Sequence, residues 1–138
     1  MPRPYEYLDH TADYALRAWG KDFPQLLANA LEGFLCLLAD TTNLTPCADQ
    51  TFEVQGDSRE QVVIRALKRV LELRDDGDIA LRARVLWADA AEASVTVGTV
   101  PLGEHRDRLG AAVKAVTYHN VQIREHEGGL AVELVFDT

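Results

Sequence analysis

The chain has 138 residues, 47% of them hydrophobic, and a net charge of −8. That length and apolar content suit one domain with a packed core, over residues 1–138. The acidic balance excludes broad phosphate binding, which needs clustered Lys and Arg.

Met1 to Leu8 lacks the basic and apolar regions of a signal peptide, and no apolar run approaches the length of a membrane span. A soluble, cytoplasmic protein is expected. Cys36 and Cys47 form no CxxC pair, which points to reduced structural thiols rather than zinc or redox chemistry.

In chain order, Tyr14, Leu16 and Ala18 make a first strand by their period of two. Phe23, Leu26, Leu27, Ala30, Leu31, Phe34, Leu35 and Leu38 then follow helical spacing. Asp22 with Gln25 three residues on resembles a capping box, and Pro24 is tolerable only in a first turn. The reading is a helix from about Asp22 to Ala39, ended by the loop 40–46. Phe52 and Val54 form a short strand. Ser58 and Gln61 open a second helix through Val62, Val63, Ala66, Leu67, Val70 and Leu73, which Asp75-Asp76-Gly77-Asp78 stops. Arg59, Glu60, Arg65, Lys68, Arg69 and Glu72 fall on its other, solvated face.

From Ile79 the period is two again. Ile79 to Trp87 and Ala93 to Thr99 read as a hairpin, and the link 101–110 leads to the β-prone stretch Val113 to Arg124. Glu127-Gly128-Gly129 turns that stretch into Leu130, Val132, Leu134 and Phe136. The expected architecture is α+β, a mostly antiparallel sheet covered by two amphipathic helices in a single domain.

Three places carry groups capable of chemistry. Asp9-His10-Thr11-Ala12-Asp13 holds two carboxylates, an imidazole and a hydroxyl, enough for a metal or for acid/base work. The same residues before a strand are also ordinary turn formers. At Phe136-Asp137-Thr138, strand alternation sends Asp137 away from Leu134 and Phe136, as it sends Asp13 away from Leu16. If these strands are neighbours, Asp13, Asp137 and the Thr138 carboxylate could converge on a hard cation such as Ca²⁺ or Mg²⁺; a solvated end is the alternative. In Lys114-Ala115-Val116-Thr117-Tyr118-His119, strict alternation would put Thr117 and His119 on the apolar face. That requires either satisfied polar groups or a bulge.

Asp75, Asp76 and Asp78 lack the full calcium-loop spacing and read as a turn. No nucleophile elbow, phosphate-cradling glycine loop or Cys/His pair is present, which disfavours an independent enzyme.

Tyr7-Leu8-Asp9-His10-Thr11-Ala12-Asp13, Arg17-Ala18-Trp19-Gly20 and Val113-Lys114-Ala115-Val116-Thr117-Tyr118-His119 together resemble the archease family. The helix after Gly20, the Gly128-Gly129 turn and the final Phe136-Asp137 stand in the expected order. The resemblance implies an archease-like fold and a non-catalytic protein cofactor of an RtcB-type RNA ligase. Such ligases join a 2′,3′-cyclic phosphate or 3′-phosphate end to a 5′-hydroxyl through a guanylylated histidine, in tRNA splicing or RNA repair. Archeases promote that guanylylation and multiple turnover. RNA would then be contacted through the ligase rather than directly.

The resemblance also implies a divalent metal at one tip, Ca²⁺ first, with Mg²⁺ or Mn²⁺ as alternatives. Asp13, Asp137 and Thr138 would be its ligands, with His10, Thr11 and His119 beside them or in structural roles. Two other readings compete: a general chaperone of RNA-processing proteins, which needs exposed apolar surface, and a metal-dependent hydrolase at the same carboxylates.

Overall fold

The computed structural model describes residues 4–10, 13–118 and 120–138, and at Asp9, His10 and Asp13 it describes the backbone alone. The expectations for Thr11 and His119, and for the side chains of His10 and Asp13, lie outside the described residues.

Strands β1 (Tyr5–His10) and β2 (Asp13–Gly20) lead into α1 (Phe23–Leu38), then β3 (Ala48–Gln55) and α2 (Arg59–Asp75). The hairpin β4 (Asp78–Ala88) and β5 (Glu92–Pro101) follows. After two short 3-10 turns come β6 (Ala115–Val116), β7 (Ile123–His126) and β8 (Gly129–Asp137).

Both helices start with the same device. The Asp22 carboxylate accepts from the Gln25 amide at 2.9 Å, and the Gln25 side chain accepts from the Lys21 amide at 2.7 Å. At α2, Ser58 Oγ accepts from the Gln61 amide at 3.1 Å and Gln61 accepts from the Asp57 amide at 2.7 Å. Each cap satisfies amides that the first turn leaves without a helical partner. The α2 helix ends where expected, with Gly77 at φ +97°, a conformation that suits glycine.

The sequence led to one sheet, and the protein has two. All pairings are antiparallel: the first sheet has the order β1-β2-β8-β6, with β7 also on β8, and the second has the order β3-β5-β4. The helices lie between them: α1 touches β1, β2 and β8 on one side and β4 on the other, while α2 touches β3, β4, β5 and β6. Single helices therefore bury more than one stripe. In α1 only Pro24, Gln25, Glu32 and Cys36 are exposed. The first strand was also missed, because Tyr5-Glu6-Tyr7-Leu8 alternates weakly and owes its strand form to pairing with β2.

Gly33 explains how α1 can sit so close to the first sheet. A Cβ there would lie 2.9 Å from the Leu16 side chain and 3.0 Å from the Tyr5 ring, while Tyr7 donates its hydroxyl to the Gly33 carbonyl at 3.0 Å. The Phe34 and Phe136 rings meet one residue further on, 4.8 Å between centroids. In a free helix, Gly→Ala gains about 1 kcal/mol of propensity. Here the added methyl overpacks a site with no slack, which costs roughly 1–3 kcal/mol. Gly33→Ala is therefore expected to lower the denaturation midpoint in urea; a raised midpoint would show that α1 can retreat from β1 and β2.

Candidate functional site

The last residue pair between β2 and β8 is Tyr14 with Phe136. One step further along both strands stand Asp13 and Asp137, at adjacent backbone positions at one end of the first sheet. Tyr14, Leu16 and Ala18 face Phe136, Leu134 and Val132, and the latter five are buried beneath α1. The Asp137 side chain is exposed, as alternation requires. Its carbonyl accepts from the Lys114 amide at 2.7 Å, which anchors β6 beside it. Thr138 follows immediately and has an interaction of its own.

The outer face of this sheet is a polar groove of about 810 Å³, lined by Arg17, Trp19, Thr117, Gln122, Glu133 and Asp137 among others. Arg17 bridges Glu6 at 3.0 Å and Glu133 at 3.2 Å across three strands. All three side chains are two-fifths or more exposed, so the network contributes little to stability. It fixes the charge layout instead: one guanidinium shared by two carboxylates at the centre, and at the tip end the acid of Asp137, which makes no ion pair among the described residues.

One wall of the groove answers the conflict in the Thr117 region. Between the pairs Val116–Phe136 and Ile123–Val132 the chain leaves β8 and returns to it. Val116 lies on the buried side against Phe136, so alternation along β6 already sends Thr117 to the opposite face, where it lines the groove. The Thr117 amide still bonds Val135 O at 3.1 Å, so the chain leaves β8 only after that point. Tyr118 goes the other way, half exposed, with Lys68 Nζ 4.2 Å above its ring. Ile123 rejoins, its amide donating to Glu60 at 3.0 Å in the first turn of α2.

Among the described residues no three His, Cys, Asp or Glu side chains cluster as metal ligands. Asp75, Asp76 and Asp78 form the turn expected of them, and Asp78 accepts from Gln50 at 3.1 Å. Cys36 and Cys47 are unpaired and both exposed. Burial, and then the hydrogen bond with Cys36, push the Tyr5 hydroxyl pKa well above its usual value. No helix of the described residues is long and apolar enough to cross a membrane.

Residues 5–138 match the Archease protein family (MTH1598/TM1083). The chain belongs to the archease family. Its relatives include protein archease of Danio rerio, 29% identical over 134 residues, 92% of this chain and 81% of that protein. Protein archease of Methanosarcina barkeri is 28% identical over 142 residues, 98% of this chain and 96% of that one.

The fold is similar to the solution structure of protein MTH1598 from Methanobacterium thermoautotrophicum. That match has a TM-score of 0.82, 22% identity, and covers 99% of this chain and 100% of the other. The crystal structure of TM1083 from Thermotoga maritima, described as an archease and possible chaperone, matches with a TM-score of 0.68. Its identity is 22%, with 100% and 98% coverage. The archease-like α+β fold expected from the sequence is thus the one found.

Sequence reasoning asked for satisfied polar groups or a bulge because it placed Thr117 on the apolar face. Strand β6 has the opposite phase, Val116 inward and Thr117 outward, and beyond it the chain makes a loop back to β7. The turning point of that loop is Asn120, at φ +58°, and Asn is one of the few side chains that enters the left-handed region readily. Replacing Asn120 by Ala is expected to cost about 1 kcal/mol of folding stability, and replacing it by Gly close to nothing. Equal losses in chemical denaturation would mean that the Asn side chain, not the backbone conformation, holds the loop.

Proposed function

We propose that this archease-family chain is a non-catalytic protein cofactor that activates an RtcB-type RNA ligase in tRNA splicing or RNA repair. Its working part is the tip of the first sheet. The observation that carries this reading is the β2–β8 register, which sets Asp13 and Asp137 at neighbouring positions at one end of the molecule. Carboxylates converging there would be an ineffective surface for RNA, and the chain as a whole is acidic at −8. They suit a cation and a cationic, metal-using pocket on a partner protein. RNA in this reading is held by the ligase, and the complex works in the cytoplasm.

Asp13, Asp137 and Thr138 would hold a divalent metal, Ca²⁺ first and Mg²⁺ or Mn²⁺ as alternatives. The donor chemistry fits, since hard cations accept carboxylate and carbonyl oxygens. Such an ion would supply positive charge where a nucleotide's α-phosphate is attacked. The residues' own task is positional. The β2–β8 ladder and the Lys114 amide bond to Asp137 O fix the backbone positions from which these residues reach out.

The chaperone reading draws on the words attached to the Thermotoga maritima protein. It needs a contiguous apolar surface. Among the described residues the exposed large apolar side chains form two small groups, Tyr7 with Tyr14 diagonally across β1–β2 and Leu86 with Trp87, while Leu109 and Tyr118 are on other elements. No broad patch joins them, which favours the ligase reading.

The test is ligase guanylylation with and without this protein. Wild type is expected to accelerate it, and Asp13→Ala and Asp137→Ala are each expected to lose at least tenfold of that stimulation with unchanged circular dichroism. Calcium titration by calorimetry should lose its heat in the same variants. Full stimulation by both variants would end the tip model, and no stimulation by wild type would end the ligase reading.

A further inference from the structure

The second sheet has a charge pattern that its own fold does not use. Directly opposed residues in an antiparallel sheet share a face, so the register assigns three cross-strand rows to the outer side. They are Asp49–Gly98–Arg82, Thr51–Thr96–Arg84 and Glu53–Ser94–Trp87. The inner side carries Phe52–Val95–Val85 and Val54–Ala93–Ala88, packed on the core.

On the outer face, edge strand β3 presents Asp49, Thr51 and Glu53, and the opposite edge strand β4 presents Arg82, Arg84 and Trp87, all exposed. The central strand between them offers only Gly98, Thr96 and Ser94, with Pro46 lying against Gly98. The acidic and basic edges are two strand spacings apart, roughly 10 Å, too far for ready pairing within the sheet. Among the described residues none of Asp49, Glu53, Arg82 and Arg84 makes an ion pair. Trp87 remains 44% exposed and its neighbour Leu86, at the bulge in β4, 45%, a small apolar end to an otherwise charged face.

A face with acid along one edge, base along the other and small residues between is complementary to itself. Rotating a second copy by 180° about an axis parallel to the strands, between two facing sheets, lays β3 of each copy over β4 of the other. The level along the strands is kept, so Arg82 meets Asp49 and Trp87 meets Glu53, twice over by symmetry. The other in-plane two-fold, across the strands, would place Arg over Arg and is disfavoured. Sheets pack about 10 Å apart, a gap that two side-chain layers fill when the central strand is small. The net charge of −8 per copy opposes approach, but beyond about 8 Å it is screened at physiological salt, which leaves the local pairs to decide.

We infer that the outer face of β3-β5-β4 is an isologous docking surface for a second copy of this chain, formed by Arg82, Arg84 and Trp87 of each protomer over Asp49, Thr51 and Glu53 of the other. It lies on the second sheet, away from the Asp13–Asp137 tip of the first, and stands whether or not the ligase reading does. A nucleic-acid partner is disfavoured by the acidic edge, and an acidic peptide would leave that edge unmatched.

Sedimentation equilibrium over a range from micromolar to millimolar protein tests it. Wild type is expected to approach twice the monomer mass at the upper end. Arg82→Glu/Arg84→Glu alone and Asp49→Lys/Glu53→Lys alone are each expected to remain monomeric, since each sets like charge over like at the 82/49 contact and gives the whole facing surface one sign. An equimolar mixture of the two should associate again, because each edge then meets its opposite.

A wild type that stays monomeric throughout, reversed variants that still dimerise, or a mixture that does not associate would each overturn the proposal. Arg82→Ala/Arg84→Ala provides a milder check should a reversal unfold the chain. It is expected to raise the dissociation constant at least tenfold, and an unchanged constant would refute the pairing.

Discussion

Seven consecutive residue pairs join β2 to β8, two strands separated by more than a hundred residues, and everything that positions the tip depends on that ladder. On its inner side Leu16, Ala18, Leu134 and Phe136 are wholly shielded from solvent beneath α1. Burying side chains of this size contributes about 1.5–3 kcal/mol each for the larger ones, enough to offset the entropy of closing so long a loop, which grows only slowly with length. A slip of one residue would turn the slipped strand's pair, Leu16 and Ala18 or Leu134 and Phe136, outward, so the core itself locks the register. The same lock fixes which residues share the outer face and which carboxylates reach the end of the sheet.

The groove on that outer face shows how strand alternation sets a polar surface beside a dry core. Val116 points into the core against Phe136, so the alternation of β6 puts Thr117 on the opposite, outer face and spares its hydroxyl a desolvation penalty of about 1–3 kcal/mol. Past Thr117 the chain leaves β8: Tyr118 goes to Lys68, and the chain is recaptured by Glu60 at Ile123. This segment thus links the first sheet to α2, and through α2 to the second sheet, so both ends of the groove are tied to packed elements.

The two sheets divide the electrostatics between them. In the first, Arg17 stands between Glu6 and Glu133 and offsets part of their charge, with the acid of Asp137 at the tip. In the second, opposite charges are held apart on opposite edges, separated by a central strand of small residues. The first arrangement pairs charge within the protomer. The second leaves a pattern that another surface can satisfy.

Much of this was legible in the sequence. The period of the apolar residues and the Asp22/Gln25 and Ser58/Gln61 pairs located both helices, and Gly77 and the Glu127–Gly128 turn marked where chains reverse, because capping and left-handed backbone are local matters. Alternation alone also sent Asp137 off the core. What local pattern could not decide was partnership. The split into two sheets, the pairing that makes a strand of β1, the close seat of α1 at Gly33 and the inward phase of Val116 in β6 all depend on which distant segments meet. Amino-acid order fixes the preferences of each segment and the face each residue takes. Only burial of a shared core selects which segments become neighbours, and so which of those faces come together.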